Sequence, residues 1–552
     1  MLEHFDPNDI QDLESACQAI IHILNLVEDL VAEMQALREE NQRLRDENNR
    51  LKGEQGKPQV KPSKKQRSSQ TNDYSSEPER RPQKQRTRRP KVKQIQIDRE
   101  WKLDLDHTQL PEDVQRKDYV PVVVQDVRLV TDNIRFLKEK CYCASQKKTY
   151  LAELPAGYEG EFGPGVRALV RVLYHGVNTS EPKIVEFLEY IGVHISSGQV
   201  SNLLIKNQDR FHAEKDAVYE AGLRSTPWQH IDDTATRVNG VNQHCHVVCS
   251  PLYTIYLTTE KKDRLTVIDV LTNLRPRVYL LLDKTYDWLG QTSISKSLLD
   301  QLRTLPQGKV FDDAQFTALL DEHFADVNAQ HRRLILEAAA ITAYHMQQEI
   351  PVVKLLLCDD APQFKRLTAD LGLCWVHDAR YYKKLSPAVA HHRHLLKTFM
   401  DRYWAFYDQL LAYQDAPAPE QVPRLEAWFD DLFSTVTGYM GLDRRIAMTR
   451  DNKQSLLMVL HHPEIPLHNN PAEIEIRRRV RKRDVSFGPR TEDGKRAWDT
   501  FQSLLATTNK LGVSFYRYVF DRVTESGEIP HLADLIVKRA QQLNLAASWQ
   551  PV

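Results

Sequence analysis

The stretch WQHIDDTATRVNGVNQHCHVVCSPLYTIYLTT, residues 228–259, decides how the chain is read. Its β-branched and aromatic residues fall into three runs, parted by Asn239-Gly240 and by Ser250-Pro251. An Asn-Gly pair suits a tight hairpin because both residues tolerate positive φ, and the second break carries ordinary turn residues. The pattern predicts an antiparallel meander of strand, turn, strand, turn, strand. Its anomaly is Asp232-Asp233, two acids inside the first strand. An unpaired buried charge is expensive, so these acids need partners.

Working outward, the same anomaly recurs twice. VVKLLLCDDAPQF, residues 352–364, reads as a buried strand over 352–357 that ends in Asp359 and Asp360. LHNNPAEIEIRRRVRKRDVSFG, residues 467–488, reads as a helix with Pro471 in its first turn, where a missing N–H costs little. Glu473 and Glu475 open that helix, and Arg477, Arg478, Arg479, Arg481, Lys482 and Arg483 follow. Taken singly, each acidic pair is more often a cap or an ion-pair partner than a metal ligand. Taken together, three elements each offer carboxylate oxygen, the donor Mg²⁺ prefers, and carboxylates bridging two such ions suit in-line phosphoryl displacement. Glu473 and Glu475 project about 200° apart on a helix, so they cannot both serve one site.

The rest of the chain supplies context. Its 552 residues suffice for several domains, and the formal charge sums to zero. That neutrality hides a basic arm: from Lys57 to Lys93 there are 13 Lys/Arg against three acids, a net of +10. The arm is rich in Pro, Ser and Gln, has little to bury, and reads as disordered; it could grip phosphates or simply be solvated. Residues 10–52 keep a heptad, with Leu13, Ile20, Val27, Met34, Asn41 and Asn48 at a and Ala16, Ile23, Leu30, Leu37, Leu44 and Leu51 at d. Glu33, Glu40 and Glu47 at g face Arg38, Arg45 and Lys52 at e of a parallel partner. This predicts a two-stranded coiled coil, the alternative being one amphipathic helix packed on its own domain. Residues 117–130 read as strands, and the pattern turns helical from Val166. Residues 180–211 give two helices about a turn at Gly192, compatible with a helix-turn-helix and equally with an ordinary helical hairpin. Seven scattered cysteines, no apolar run of 18 residues and an acidic, polar start suggest a soluble intracellular protein, with no membrane partner.

HIDDT, LLLCDDAPQF, CWVHDARYYKKL and IPLHNNPAEIEIR, in this order, resemble the Asp-Asp-Glu (DDE) transposases of the insertion sequence 66 family, over roughly residues 117–520. An N-terminal zipper is usual there. The resemblance implies an α/β protein with a ribonuclease-H-like mixed-sheet catalytic core and helical insertions, beside the coiled coil and a helical DNA-binding region. It places the catalytic and metal-binding positions on Asp232, Asp359 and Glu473, and implies Mg²⁺ or Mn²⁺ as cofactor, two ions being expected. Two departures stand near the glutamate: His468 where Asp is common, and Ile474 where Arg is common. Arg477, one turn beyond Glu473, is on the same face and could take over that basic role. His377 and Arg380 match a Cys-Trp-x-His-x-x-Arg motif, which suggests either a phosphate contact or core packing. The zinc-binding segment of related proteins has only Cys141 and Cys143 here, so no zinc finger is expected.

The expected domains are therefore 1–56 coiled coil, 57–95 basic linker, 96–150 a small β-containing region and 151–215 the helical DNA-binding region. Residues 216–525 form the catalytic domain, with helical insertions at about 263–350 and 390–460, and 526–552 a helical tail. The expected activity is that of a bacterial insertion-sequence transposase, cutting transposon ends and joining them to target DNA. A nuclease of the same fold and a non-catalytic DNA-binding regulator are the alternatives. The expected partners are double-stranded DNA, a second copy through the zipper and, by resemblance, accessory proteins of the element; the expected location is the bacterial cytoplasm, on the nucleoid. Beside His377, Arg380 and Arg477, the candidate phosphate contacts are Lys261, Lys262 and Arg264 after the third strand and Arg478 and Arg481 on the late helix.

Overall fold

The structure, a computed structural model, describes residues 10, 12–51, 97–106, 118–155, 157–158, 160–543 and 545–549. The basic arm of residues 57–95 lies outside the described residues. Two short strands, β1 (Lys140–Cys143) and β2 (Lys148–Leu151), form an exposed antiparallel ribbon that precedes the main body.

The meander forms as the Asn-Gly and Ser-Pro breaks predict: β3 (Trp228–Val238), β4 (Val241–Cys249) and β5 (Thr254–Thr259). Asn239 and Gly240 both have positive φ, 48° and 77°, the geometry of a two-residue hairpin turn. After a small antiparallel pair, β6 (Val278–Leu280) and β7 (Val310–Asp312), with two short helices between its strands, the chain returns to the sheet through β8 (Leu355–Cys358) and β9 (Asp370–Leu373). The sheet order is β5-β4-β3-β8-β9, antiparallel within the meander and parallel across β3-β8-β9. β8 is buried at every residue, which is why it reads as a continuous apolar run rather than an alternating one.

The late helix, Asn470–Ser486, lies along β3 and is pinned at both ends. At its start, Asn469 is fully buried and donates its side-chain amide to the Ile231 carbonyl at 2.8 Å. At its end, Phe487 and Gly488 turn left-handed, and the Asn239 N–H donates to the Pro489 carbonyl at 2.9 Å. A Cβ on Gly488 would stand 2.3 Å from the Arg237 carbonyl oxygen, so only glycine permits this approach. The next helix, Glu492–Lys510, covers the free edge of β5. Asp499, Ser503 and Thr507, four residues apart, accept from the backbone N–H groups of Thr258, Tyr256 and Thr254 at 2.7, 2.9 and 3.2 Å.

Both insertions are mainly helical. The second surrounds Trp375, fully buried among Tyr403, Phe406, Tyr407, Phe429 and Phe433. Its core is continuous with that of the sheet. In the helical region, Glu181–Tyr190 and Ser197–Ile205 flank Gly192 at φ 81°, with Ser196 capping the second helix through the Gln199 N–H at 3.2 Å.

One expectation needs correction. Residues 118–139 form no strand, although Val120, Val122, Val124, Val127 and Val130 favour one. β propensity is realised only through ladder partners, and among the described residues none pairs with this segment. The heptad region forms one helix, Leu13–Leu51, and docks on its own chain through positions other than a and d. Asn25 donates to the Gly438 carbonyl at 2.7 Å and accepts from the Met440 N–H at 3.0 Å. Glu28 accepts from the N–H groups of Ala388 and Val389, capping a helix, Ala390–Asp415, that has no side-chain cap of its own. The a and d residues Leu13, Ile20, Ile23, Val27, Leu30, Met34, Leu37 and Leu44 stay exposed. By length and composition this helix is apolar enough to cross a membrane, yet its polar contacts tie it to the second insertion.

Candidate active site

Asp232 sits in the middle of β3, Asp359 directly follows β8, and Glu473 occupies the first turn of the late helix. The parallel register pairs His230 with Leu357, so Asp232 and Asp359 each lie two residues further along neighbouring strands. Adjacent strands are about 4.8 Å apart, which brings the two carboxylates together. Burial pushes the Asp232 carboxyl up to about 8, and the charges of Asp359, Asp233 and Glu473 add to the rise. The Asp233 N–H, donating to Asp232 at 2.8 Å, opposes it. Asp359 is also raised, again first by burial, against the opposing pull of His377 and of the Ala361 N–H at 3.2 Å.

Within each acidic pair the second member is neutralised and the first is not. Asp233 accepts from Lys262 at 3.2 Å and from Gln363 at 3.1 Å. Asp360 is bound by Lys365 at 2.5 Å and Asn452 at 3.3 Å. Glu473, 7% exposed, differs from both. Arg380 Nη2 bridges its two oxygens at 2.9 and 3.1 Å, Arg477 Nη2 approaches at 3.1 Å, and His377 Nε2 stands 3.6 Å away. Burial holds the His377 ring neutral-leaning, below the usual imidazole range, despite the nearby acids.

Neighbouring carboxyl groups without a basic partner are a donor set that fits a hard divalent cation, and Asp232 and Asp359 supply it. Among the described residues no three His, Cys, Asp or Glu side chains are arranged as a ready cation cluster, and the oxygens of Glu473 are engaged by arginine. Glu475 belongs elsewhere: it is 4% exposed, accepts from Tyr256 Oη at 2.8 Å and pairs with Arg478 at 3.1 Å.

The basic candidates divide. Lys261, Lys262, Arg478 and Arg481 are exposed, while Arg380 and Arg477 are half-buried at Glu473. Arg264 is not on the surface: its side chain is 15% exposed, pairs with Glu337, and donates to the carbonyls of Pro362 at 2.8 Å and Lys365 at 3.0 Å. It fixes the loop after Asp359-Asp360 and is poorly placed to meet DNA. Asn469 is the residue that local pattern missed. Its position before Pro471 suggests a helix cap, but its side chain bridges His230 Nδ1 at 2.8 Å and the Ile231 carbonyl. It thereby ties the start of the Glu473 helix to the residue preceding Asp232.

A sequence profile described as Transposase IS66 family matches residues 339–497, a span that includes Asp359, His377, Arg380 and Glu473. A protein named "Uncharacterized protein y4jO", from Sinorhizobium fredii strain NBRC 101917 / NGR234, is 31% identical over 321 residues, 58% of this chain and 99% of that relative. No solved structure matches the chain. On the strength of the profile, the chain belongs to the IS66 transposase family.

Proposed function

We propose that the protein is a DNA transposase that cuts the ends of an insertion sequence and joins the freed 3′ hydroxyls to target DNA, using Asp232, Asp359 and Glu473. The observation that carries this reading is the meeting of Asp232 and Asp359, neither with a basic partner among the described residues, beside the buried Glu473. The sheet order, an antiparallel trio continued by two parallel strands, fits a ribonuclease-H-like core with the glutamate on a late helix.

Asp232, Asp359 and Glu473 would hold Mg²⁺ or Mn²⁺. Bound there, divalent metal supplies activation of the attacking oxygen and stabilisation of the leaving one. The chain's own contribution is positioning. Asn469 sets the late helix against β3, and the Lys262–Asp233 and Lys365–Asp360 pairs keep the second acids out of the donor set. Lys261, Lys262, Arg478 and Arg481 would neutralise backbone phosphates, so DNA binding should weaken steeply with added salt. The exposed a/d stripe of the N-terminal helix would pair with a second copy, with Asn41 fixing a parallel register.

The test is metal-dependent cleavage and strand transfer on transposon-end DNA by the full chain and by Asp232→Ala, Asp359→Ala and Glu473→Gln. Joined products from the native protein alone support the proposal. Cleavage without joining would make the protein a nuclease of the same fold, and unchanged activity in all three variants would leave a DNA-binding role only.

A further inference from the structure

The three carboxylates are treated unequally. Asp232 and Asp359 carry no ion pair among the described residues, whereas both oxygens of Glu473 are held by one guanidinium nitrogen of Arg380. The other terminal nitrogen of Arg380 lies 2.9 Å from His377 Nε2, which fixes the fork in place. Among the described residues the buried His377 Nδ1 has no hydrogen-bond partner, and the ring meets Arg380 and Glu473 through Nε2. Arg380 nevertheless sits at the rim: its side chain is 36% exposed, against 9% for Glu473.

A guanidinium and a divalent cation compete for the same carboxylate lone pairs. A DNA phosphate, in turn, is a better bidentate partner for a rim arginine than for any buried group, because it brings both charge and the matching fork geometry. We infer that Arg380 gates the third carboxylate: it holds Glu473 while DNA is absent and transfers to a backbone phosphate when DNA arrives, freeing Glu473 for the cation. This gate rests on the proposed function above. It makes cation and DNA binding mutually reinforcing through a single side chain, and ties completion of the site to the presence of substrate. A nuclease that remains incomplete until DNA is in place is spared stray cutting.

The experiment is calorimetric titration of the full chain with Mn²⁺, alone and with a short DNA duplex, with no turnover read. In the native protein DNA should raise Mn²⁺ affinity by about 5- to 150-fold, the usual span of a coupling between two sites. Arg380→Ala should bind Mn²⁺ more tightly without DNA, by a factor in that range, and should lose most of the gain from DNA. Arg477→Ala, which removes only one contact to Glu473, should change far less, and the gain of Arg380→Ala should vanish when Glu473→Gln is added. Unchanged or weaker Mn²⁺ binding in Arg380→Ala would overturn the gate, as would an equal gain in Arg477→Ala, which would reveal a general charge effect. In either case Mn²⁺ binding that still depends on Asp232 leaves the proposed function standing; binding indifferent to Asp232→Asn and Asp359→Asn removes both.

Discussion

Replacing Asp232 by Asn should make the cation-free protein more stable while destroying its proposed chemistry. Asp232 is buried among acids, and its carboxyl is raised from 3.8 to about 8. The folded state therefore holds a proton there that the unfolded chain has released, throughout the window from about pH 4 to about pH 8. The unfolded state binds fewer protons, so stability falls as pH rises across this window and levels off beyond it. At pH 7 the gap spans about three pKa units, which corresponds to at most about 4 kcal/mol at 1.36 kcal/mol per unit. Asn carries no such penalty. For a body of this size, with an unfolding entropy near 2 cal/mol/K per residue, 4 kcal/mol corresponds to about 5 °C in Tm. The assay is thermal unfolding of native protein and Asp232→Asn in chelator, from pH 4.5 to 8. The variant's advantage should be small at the acid end and grow towards neutrality. Mn²⁺ should then raise the Tm of the native protein and not that of the variant. Equal melting across the whole range, or a variant less stable at pH 7.5, would refute the idea that this carboxylate is held against its own electrostatics.

Other consequences are simpler to check. Asn469→Ala leaves the buried Ile231 carbonyl and His230 without their partner, so it should cost about 1–3 kcal/mol in denaturant unfolding and lower kcat more than it weakens DNA binding. Glu475→Gln should reduce stability by breaking the contacts to Tyr256 and Arg478, yet leave Mn²⁺ affinity within about twofold in calorimetry, since it turns away from the carboxylate pair. Deleting residues 1–52 should convert the protein to a smaller species in light scattering, and Glu28→Ala should instead lower Tm with oligomeric state unchanged, because cis docking and the a/d stripe use different positions.

Much of this arrangement was legible in the residues because it rests on local rules. Asn239-Gly240 announces its hairpin, VVKLLL a buried strand that forms at Leu355–Cys358, and Pro471 the start of a helix, each within a few positions. The acids stood out because apolar strands do not carry carboxylates without reason. What stayed hidden depends on partners far along the chain. Arg264 reads as an exposed base until Glu337 and the 362–365 carbonyls are beside it. Asn469 reads as a cap until Ile231 is placed, and Asn25 and Glu28 look like solvent-facing positions of a heptad until Gly438, Met440 and Ala388 close on them. The valines of 118–130 failed in the opposite direction, since a strand-forming preference cannot create the neighbour it needs.

The triplet Asp499, Ser503 and Thr507 has a consequence for how copies of this protein can crowd together. Every second N–H of β5 is already spoken for by a helix acting as a surrogate strand. No passing chain can add itself to that border of the sheet, so bringing several copies close together does not lead to sheet-to-sheet coalescence there. Because the three acceptors share one helix face, inserting a single residue between 499 and 507 would throw them out of phase and reopen the border to aggregation.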